Sequence, residues 1–213
     1  MSESRAGATG INPAMLDFAV TWDYRCPFAR NAHDHVVTAL RAGAPWRVRF
    51  VAFSLDQVHV EPGHPAVWDA GWRAPSLLAG QVGIVVRDRF SASFPDVHLA
   101  LFAARHEQGR DLRDEAVLRA VLDENGVSAD AVFAGLAEGW PLESFRKEHE
   151  ASVAEHNAFG VPTFVTDGRA AFVRVLDRAG GDASAATRTV ERLLDVVVGW
   201  PELNELKHTT IPR

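Results

Sequence analysis

Asp23-Tyr24-Arg25-Cys26-Pro27-Phe28-Ala29-Arg30 contains the only cysteine of a 213-residue chain. An apolar run, Leu16 to Trp22, precedes it and a helical pattern follows, so Cys26 falls where a strand gives way to a helix. A helix N-terminus presents unpaired N–H groups and a partial positive charge, and both stabilise a thiolate. Cysteines so placed titrate below the ordinary value of about 8.5. Pro27 suits the first helical position, where its missing N–H would have had no partner. Arg25 and Arg30 add positive charge and Asp23 opposes it. The expectation is a nucleophilic sulfur with a lowered pKa.

Dithiol chemistry would need a second cysteine one helical turn on, and that place is Ala29. A mixed disulfide on Cys26 therefore has no internal thiol to resolve it and must be released by an outside one. That favours monothiol chemistry: exchange, thiol-dependent reduction or conjugation. The plainer alternative is that Cys26 is a small buried hydrophobe. Other candidates carry less. His33 and His35 are two apart on a helix and point to different sides. His59 and His64 lie in a loop with no HExxH or paired-carboxylate frame. For the nine histidines of the chain, solvated or capping roles with no metal are therefore expected. Trp68 and Trp72 read as packing within a helical region rather than as a platform over Cys26. Residues 80–86 lack the strand-then-glycine order of a dinucleotide loop. Ser54, Ser91 and Ser93 sit in no nucleophile elbow.

The elements that position Cys26 are legible from periodicity. Leu16, Phe18, Val20 and Trp22 alternate onto one face of a strand. From Phe28 to Arg41, Ala32, Val36, Ala39 and Leu40 recur at helical spacing, with Gly43 as the stop. Trp46 to Phe53 alternates again, giving a βαβ unit with parallel strands. A Pro/Gly/His-rich loop, Asp56 to Pro65, opens a region of helical pieces near Pro75–Phe90, Pro95–Glu107, Leu112–Glu124, Ala129–Glu138 and Leu142–Ala158. Asp111 is the expected N-cap of the third piece, Gly126 its stop, and Ser128 the N-cap of the fourth. Val161 to Val175 is two apolar runs around Asp167-Gly168, a hairpin signal. A last helix, Ser184 to Val198, carries Val190, Leu193, Leu194 and Val197 on one side. The order βαβ, five helices, ββα predicts an α/β fold with a four-stranded mixed sheet. Its parts are a tail over 1–15, a sheet domain over 16–56 and 157–200, a helical insertion over 57–156 and a C-terminal tail over 201–213.

A net charge of −6 argues against a nucleic-acid partner. No apolar stretch approaches the roughly 20 residues that span a bilayer, so no membrane partner is expected. The first fifteen residues lack the basic start and apolar core of a signal peptide, and with one cysteine the expected location is the reducing cytoplasm.

A strand running into Asp23-Tyr24-Arg25-Cys26-Pro27-Phe28-Ala29, a helical insertion, then Phe159-Gly160-Val161-Pro162-Thr163-Phe164-Val165 before a ββα ending resembles the DsbA-like branch of the thioredoxin superfamily. The likeness covers nearly the whole chain after the first dozen residues. It implies a thioredoxin-like fold with Cys26 as nucleophile and Pro162 as the family's cis-proline. Pro27, Phe28, Val161 and Pro162 would line the site for a small-molecule thiol or disulfide. Residues 200–209 are similar to the end of actinobacterial members that work with a low-molecular-weight thiol, which implies glutathione or mycothiol as cofactor. Ala29 departs from the dithiol members. Kappa-class glutathione transferases and hydroxychromene-carboxylate isomerases share the architecture without a Cys-x-x-Cys pair. The resemblance thus implies a monothiol oxidoreductase, with a kappa-like transferase or isomerase, or a non-catalytic binding protein, as alternatives.

Overall fold

The computed structural model describes residues 15–211; the expected N-terminal tail apart from Met15, and the last two residues of the C-terminal tail, lie outside it. β1 (Asp17–Trp22), α1 (Pro27–Arg41) and β2 (Arg47–Ala52) form the βαβ unit, with β1 and β2 parallel from Asp17↔Arg47 to Trp22↔Ala52. Gly43 follows α1 with φ +87°, a conformation glycine adopts without strain. β3 (Thr163–Thr166) pairs antiparallel with β1, and β4 (Arg169–Phe172) pairs antiparallel with β3. The sheet order is β2-β1-β3-β4. Asp167 and Gly168 both have positive φ, which matches the type I′ turn that an Asp-Gly pair favours. α8 (Ala183–Gly199) closes the fold, with Val190, Leu194 and Val197 buried and Leu193 partly so.

The insertion comprises α2 (Leu55–Val58), a 3-10 turn at Val67–Ala70, α3 (Pro75–Arg89), α4 (Phe94–His106), α5 (Glu115–Glu124), α6 (Ala129–Ala137) and α7 (Trp140–His156). Ser128 caps α6 as expected, its side chain accepting from the Ala131 N–H. Asp111 does not cap α5. Asp114 does, accepting from the Ala116 N–H, while the Asp114 N–H donates to the Asp111 carbonyl. The chain thus spends one turn, with Leu112 buried, before the helix begins. The loop expected over Asp56 to Pro65 opens with α2, capped by the Ser54 hydroxyl.

Two apolar clusters hold these parts together. Phe18 and Val20 of β1 pack with Val36 of α1 and Leu194 of α8. Trp22, Tyr24, Cys26 and Ala29 share the second cluster with residues of α3 to α7, so the insertion and the sheet have a common core. Burial is unbroken from Phe18 to Trp22 because both faces of β1 are covered. The alternation in the sequence marks only one of them. Trp68 packs on the rings of Phe145 and His149 within the insertion. Among the described residues, no helix is long and apolar enough to cross a membrane.

His59 and His64 are exposed as expected, with His59 Nδ1 2.6 Å from the Leu55 carbonyl, but four other histidines are not solvated. His33 and His98 are fully buried, and His35 and His149 nearly so. His33 Nε2 lies 3.1 Å from the Thr21 carbonyl, His98 Nε2 lies 2.9 Å from His33 Nδ1, and the Tyr24 hydroxyl lies 2.8 Å from His98 Nδ1. A carbonyl only accepts, so the direction of every bond follows: Tyr24 donates to His98, His98 to His33, and His33 to Thr21, with both rings neutral. The chain ties β1, α1 and α4 together with each partner satisfied. Gly83 of α3 makes room for it, since a Cβ there would stand 2.5 Å from the Tyr24 hydroxyl.

Burial holds His33 and His149 down at about 4 and His98 well below 6.5. As pH falls below 6.5 the unfolded chain takes up protons that the folded one refuses, so stability is full above that value and is lost down through about 4. Urea midpoints should therefore fall between about pH 6.5 and 5, before most carboxylates titrate. A midpoint constant over that interval contradicts the neutral chain.

Candidate active site at Cys26

Cys26 is the N-cap of α1, extended at φ −89° and ψ 118°, with its own N–H donating to the Asp23 carbonyl. Pro27 takes the first helical position. The Ala29 N–H approaches Sγ at 3.5 Å. On the other side the Cys26 S–H donates to the Val161 carbonyl at 3.2 Å. The Val161–Pro162 peptide bond is cis. The loop that carries it is fastened to β1, because the Thr163 N–H donates to Thr21 Oγ1 at 2.8 Å, and to itself, because Thr163 Oγ1 donates to the Gly160 carbonyl. Of the five residues assigned to the site from sequence, Cys26 and Val161 are in contact, Pro162 lies beside them, Phe28 is half-buried and Pro27 is exposed.

The electrostatics reverse the sequence-based expectation. Cys26 is buried, at 8% exposure. Burial pushes its thiol above the ordinary value; the N–H groups of Ala29 and Phe28 pull it down, Asp23 pushes it up, and Arg174 pulls it down. The S–H bond to Val161 also favours the protonated form. Neither arginine counted on from sequence serves the sulfur. Arg25 is held by Asp23 at 3.0 Å and by Asp56, and Arg30 pairs with Glu107 at 3.0 Å.

Arg174, just past β4, is the cation whose field reaches the thiol. Its guanidinium carbon stands 5.2 Å from the Phe28 ring centroid and 5.7 Å from that of Phe172. Sequence reasoning missed it, for 148 positions separate it from Cys26 and only the β3–β4 hairpin brings it back. The Tyr24–His98–His33 chain was missed as well. A cavity of about 370 Å³ lies on the insertion side of the β1–α1 joint, between Tyr24, Arg25, Gly80, Arg105, Leu112 and Phe145. Among the described residues no cluster of three or more His, Cys, Asp or Glu side chains could hold a metal ion.

The model of the DSBA-like thioredoxin domain family matches residues 20–179, the span from mid-β1 to the approach to α8. The chain belongs to that family. An uncharacterized protein of Mycobacterium tuberculosis (strain ATCC 25618 / H37Rv) is 26% identical over 191 residues, covering 90% of this chain and 81% of its own. Among solved structures, 2-hydroxychromene-2-carboxylate isomerase superposes with a TM-score of 0.58 at 16% identity, over 85% of this chain and 99% of its own. The cytosolic disulfide reductase DsbM of Pseudomonas aeruginosa, with GSH, gives a TM-score of 0.55 at 19% identity, over 84% and 99%. The DSBA-like chain thus shares its fold with a disulfide reductase and with an isomerase.

Iodoacetamide alkylation of the native protein should be slow at neutral pH and climb with a midpoint above about 8.5, the ordinary thiol value. A midpoint well below it would show that the helix terminus outweighs burial.

Proposed function

We propose that this DSBA-like protein is a monothiol oxidoreductase in which Cys26 exchanges with small disulfides and is regenerated by a low-molecular-weight thiol. The observation that carries the reading is the position of Sγ, at the N-terminus of α1 and 3.2 Å from the carbonyl before cis-Pro162. In the first step the Cys26 sulfur bonds one sulfur of R–S–S–R, the S–S bond breaks, and the leaving sulfur takes the Cys26 proton as R–SH. In the second, an outside R′–SH bonds the R-side sulfur of Cys26–S–S–R, giving R–S–S–R′ and returning the proton to Cys26. Each half-reaction conserves atoms and electrons.

The chain's own residues do three things. The N–H groups of Ala29 and Phe28 stabilise the sulfur as it becomes anionic. Val161 and Pro162 wall the site on the β3 side. Asp23 fixes the approach to α1, accepting from the N–H groups of Arg25 and Leu55 as well as from the Arg25 guanidinium. The thiol that releases Cys26 would come from a reducing pool, and we place the protein in the cytoplasm on that ground. The likeness in fold to a cytosolic disulfide reductase bound to GSH is in keeping with this.

Ala29→Cys tests whether the second thiol is the only part missing. Ala29 is fully buried one turn from Cys26, with its N–H at Sγ, and one helical turn allows two Cα atoms the roughly 4.4–6.8 Å that a disulfide spans. The variant should lose about 1–3 kcal/mol to tighter packing. It should form a reversible intramolecular disulfide and reduce a protein disulfide as a dithiol. The wild type should turn over only mixed and small disulfides, with excess thiol. A folded variant whose two thiols never pair under oxidising conditions would contradict the geometry.

A further inference from the structure

Arg174 is held in place by its neighbours on both sides. The Val173 N–H donates to the Pro162 carbonyl at 3.0 Å. The Asn31 side-chain amide, on the helix that starts at Cys26, donates to the carbonyls of Val175 at 3.0 Å and Leu176 at 2.7 Å. The residue between these anchors is therefore fixed to both walls of the Cys26 site. Its guanidinium lies over Phe28 and Phe172, and Phe172 in turn meets Phe159, 65% exposed, at 5.1 Å between ring centroids.

Nearby arginines are spent on carboxylates: Arg25 on Asp23 and Asp56, Arg30 and Arg178 on Glu107. Arg174 is exposed and, among the described residues, pairs with no carboxylate. Stacking on rings fixes the plane of a guanidinium while leaving its N–H edge open, and that edge matches a carboxylate in two-point geometry. The chain as a whole is acidic, at −6, so it repels an anionic ligand except where a local cation receives it.

We propose that Arg174 is the specificity-determining residue of the Cys26 site, selecting a thiol or disulfide that carries a carboxylate, of the glutathione type, over an uncharged sugar-linked thiol such as mycothiol. The proposal rests on the reading of Cys26 as an exchange nucleophile. The carboxylate docks on the open edge of Arg174, the ligand's backbone lies along Phe28 and Phe172, and its sulfur meets Sγ.

The test measures the rate at which folded protein gains a Cys26 adduct from three disulfides: glutathione disulfide (anionic), bis(2-hydroxyethyl) disulfide (neutral) and cystamine (cationic). Arg174→Met and Arg174→Lys are compared with the wild type. Relative to the neutral reagent, Arg174→Met should slow the glutathione disulfide reaction by about tenfold or more, the scale of one charge-assisted hydrogen bond. Arg174→Lys should restore part of the preference, and cystamine should gain in both comparisons with glutathione disulfide. An equal slowing with all three reagents overturns the proposal, because Arg174 would then act on the sulfur and not on the ligand. A wild type that reacts with the neutral reagent but shows no preference for the anionic one overturns it too, leaving exchange at Cys26 intact. A wild type inert to all three overturns the exchange reading, and this proposal with it.

Discussion

The antiparallel pairing of β1 with β3 is the constraint on which the site depends. It brings the end of β1 alongside the loop before β3, and two contacts lock that approach: Thr163 N–H to Thr21 Oγ1, and Cys26 S–H to the Val161 carbonyl. Residues 135 positions apart thereby form one wall-to-wall site. The β3–β4 hairpin extends the same placement by carrying Arg174 back over Phe28. Without the β1–β3 register, Cys26 would lose the Val161 carbonyl opposite it and the Phe172 and Arg174 rim that the hairpin carries.

Support for this junction comes from a polar chain inside an apolar core. Tyr24, His98 and His33 pass hydrogen bonds from the β1–α1 joint through α4 to α1 and back to β1. Buried polar groups stabilise only when every member has its partner, and here each does. Arg87 of α3 and Glu148 of α7 do similar work at β2, donating to the Phe50 carbonyl and accepting from the Ala52 N–H. The insertion therefore holds the sheet's site end by directed bonds as well as by packing.

Much of this was legible in the sequence where local rules decide. The alternation of β1 and β2, the helical spacing of α1, Ser128 as a cap and Asp167-Gly168 as a turn each rest on a few neighbouring residues, and the structure has them so. Asp111 misled because two aspartates three apart offer the same cap, and the burial of Leu112 decides between them. The histidines misled because their partners lie on other elements, and nothing in the spacing of positions 24, 33 and 98 joins them. The direction of the thiol's pKa misled for a related reason. A helix terminus is visible in sequence, whereas the carbonyl of Val161, the diversion of Arg25 and Arg30 to carboxylates and the degree of burial are not.

In the proposed exchange, a thiol raised by burial is protonated at rest, and the N–H groups around it stabilise the Cys26 thiolate both before it attacks a disulfide and when an outside thiol displaces it again. The central claim is that this sulfur, alone, is open to exchange in the folded protein. Intact-mass spectrometry of native protein incubated with glutathione disulfide tests it most directly. The account predicts a single adduct on Cys26 that survives desalting and disappears when free thiol is added. Native protein that gains no adduct, while unfolded protein gains one, would show Cys26 to be an inert member of the core.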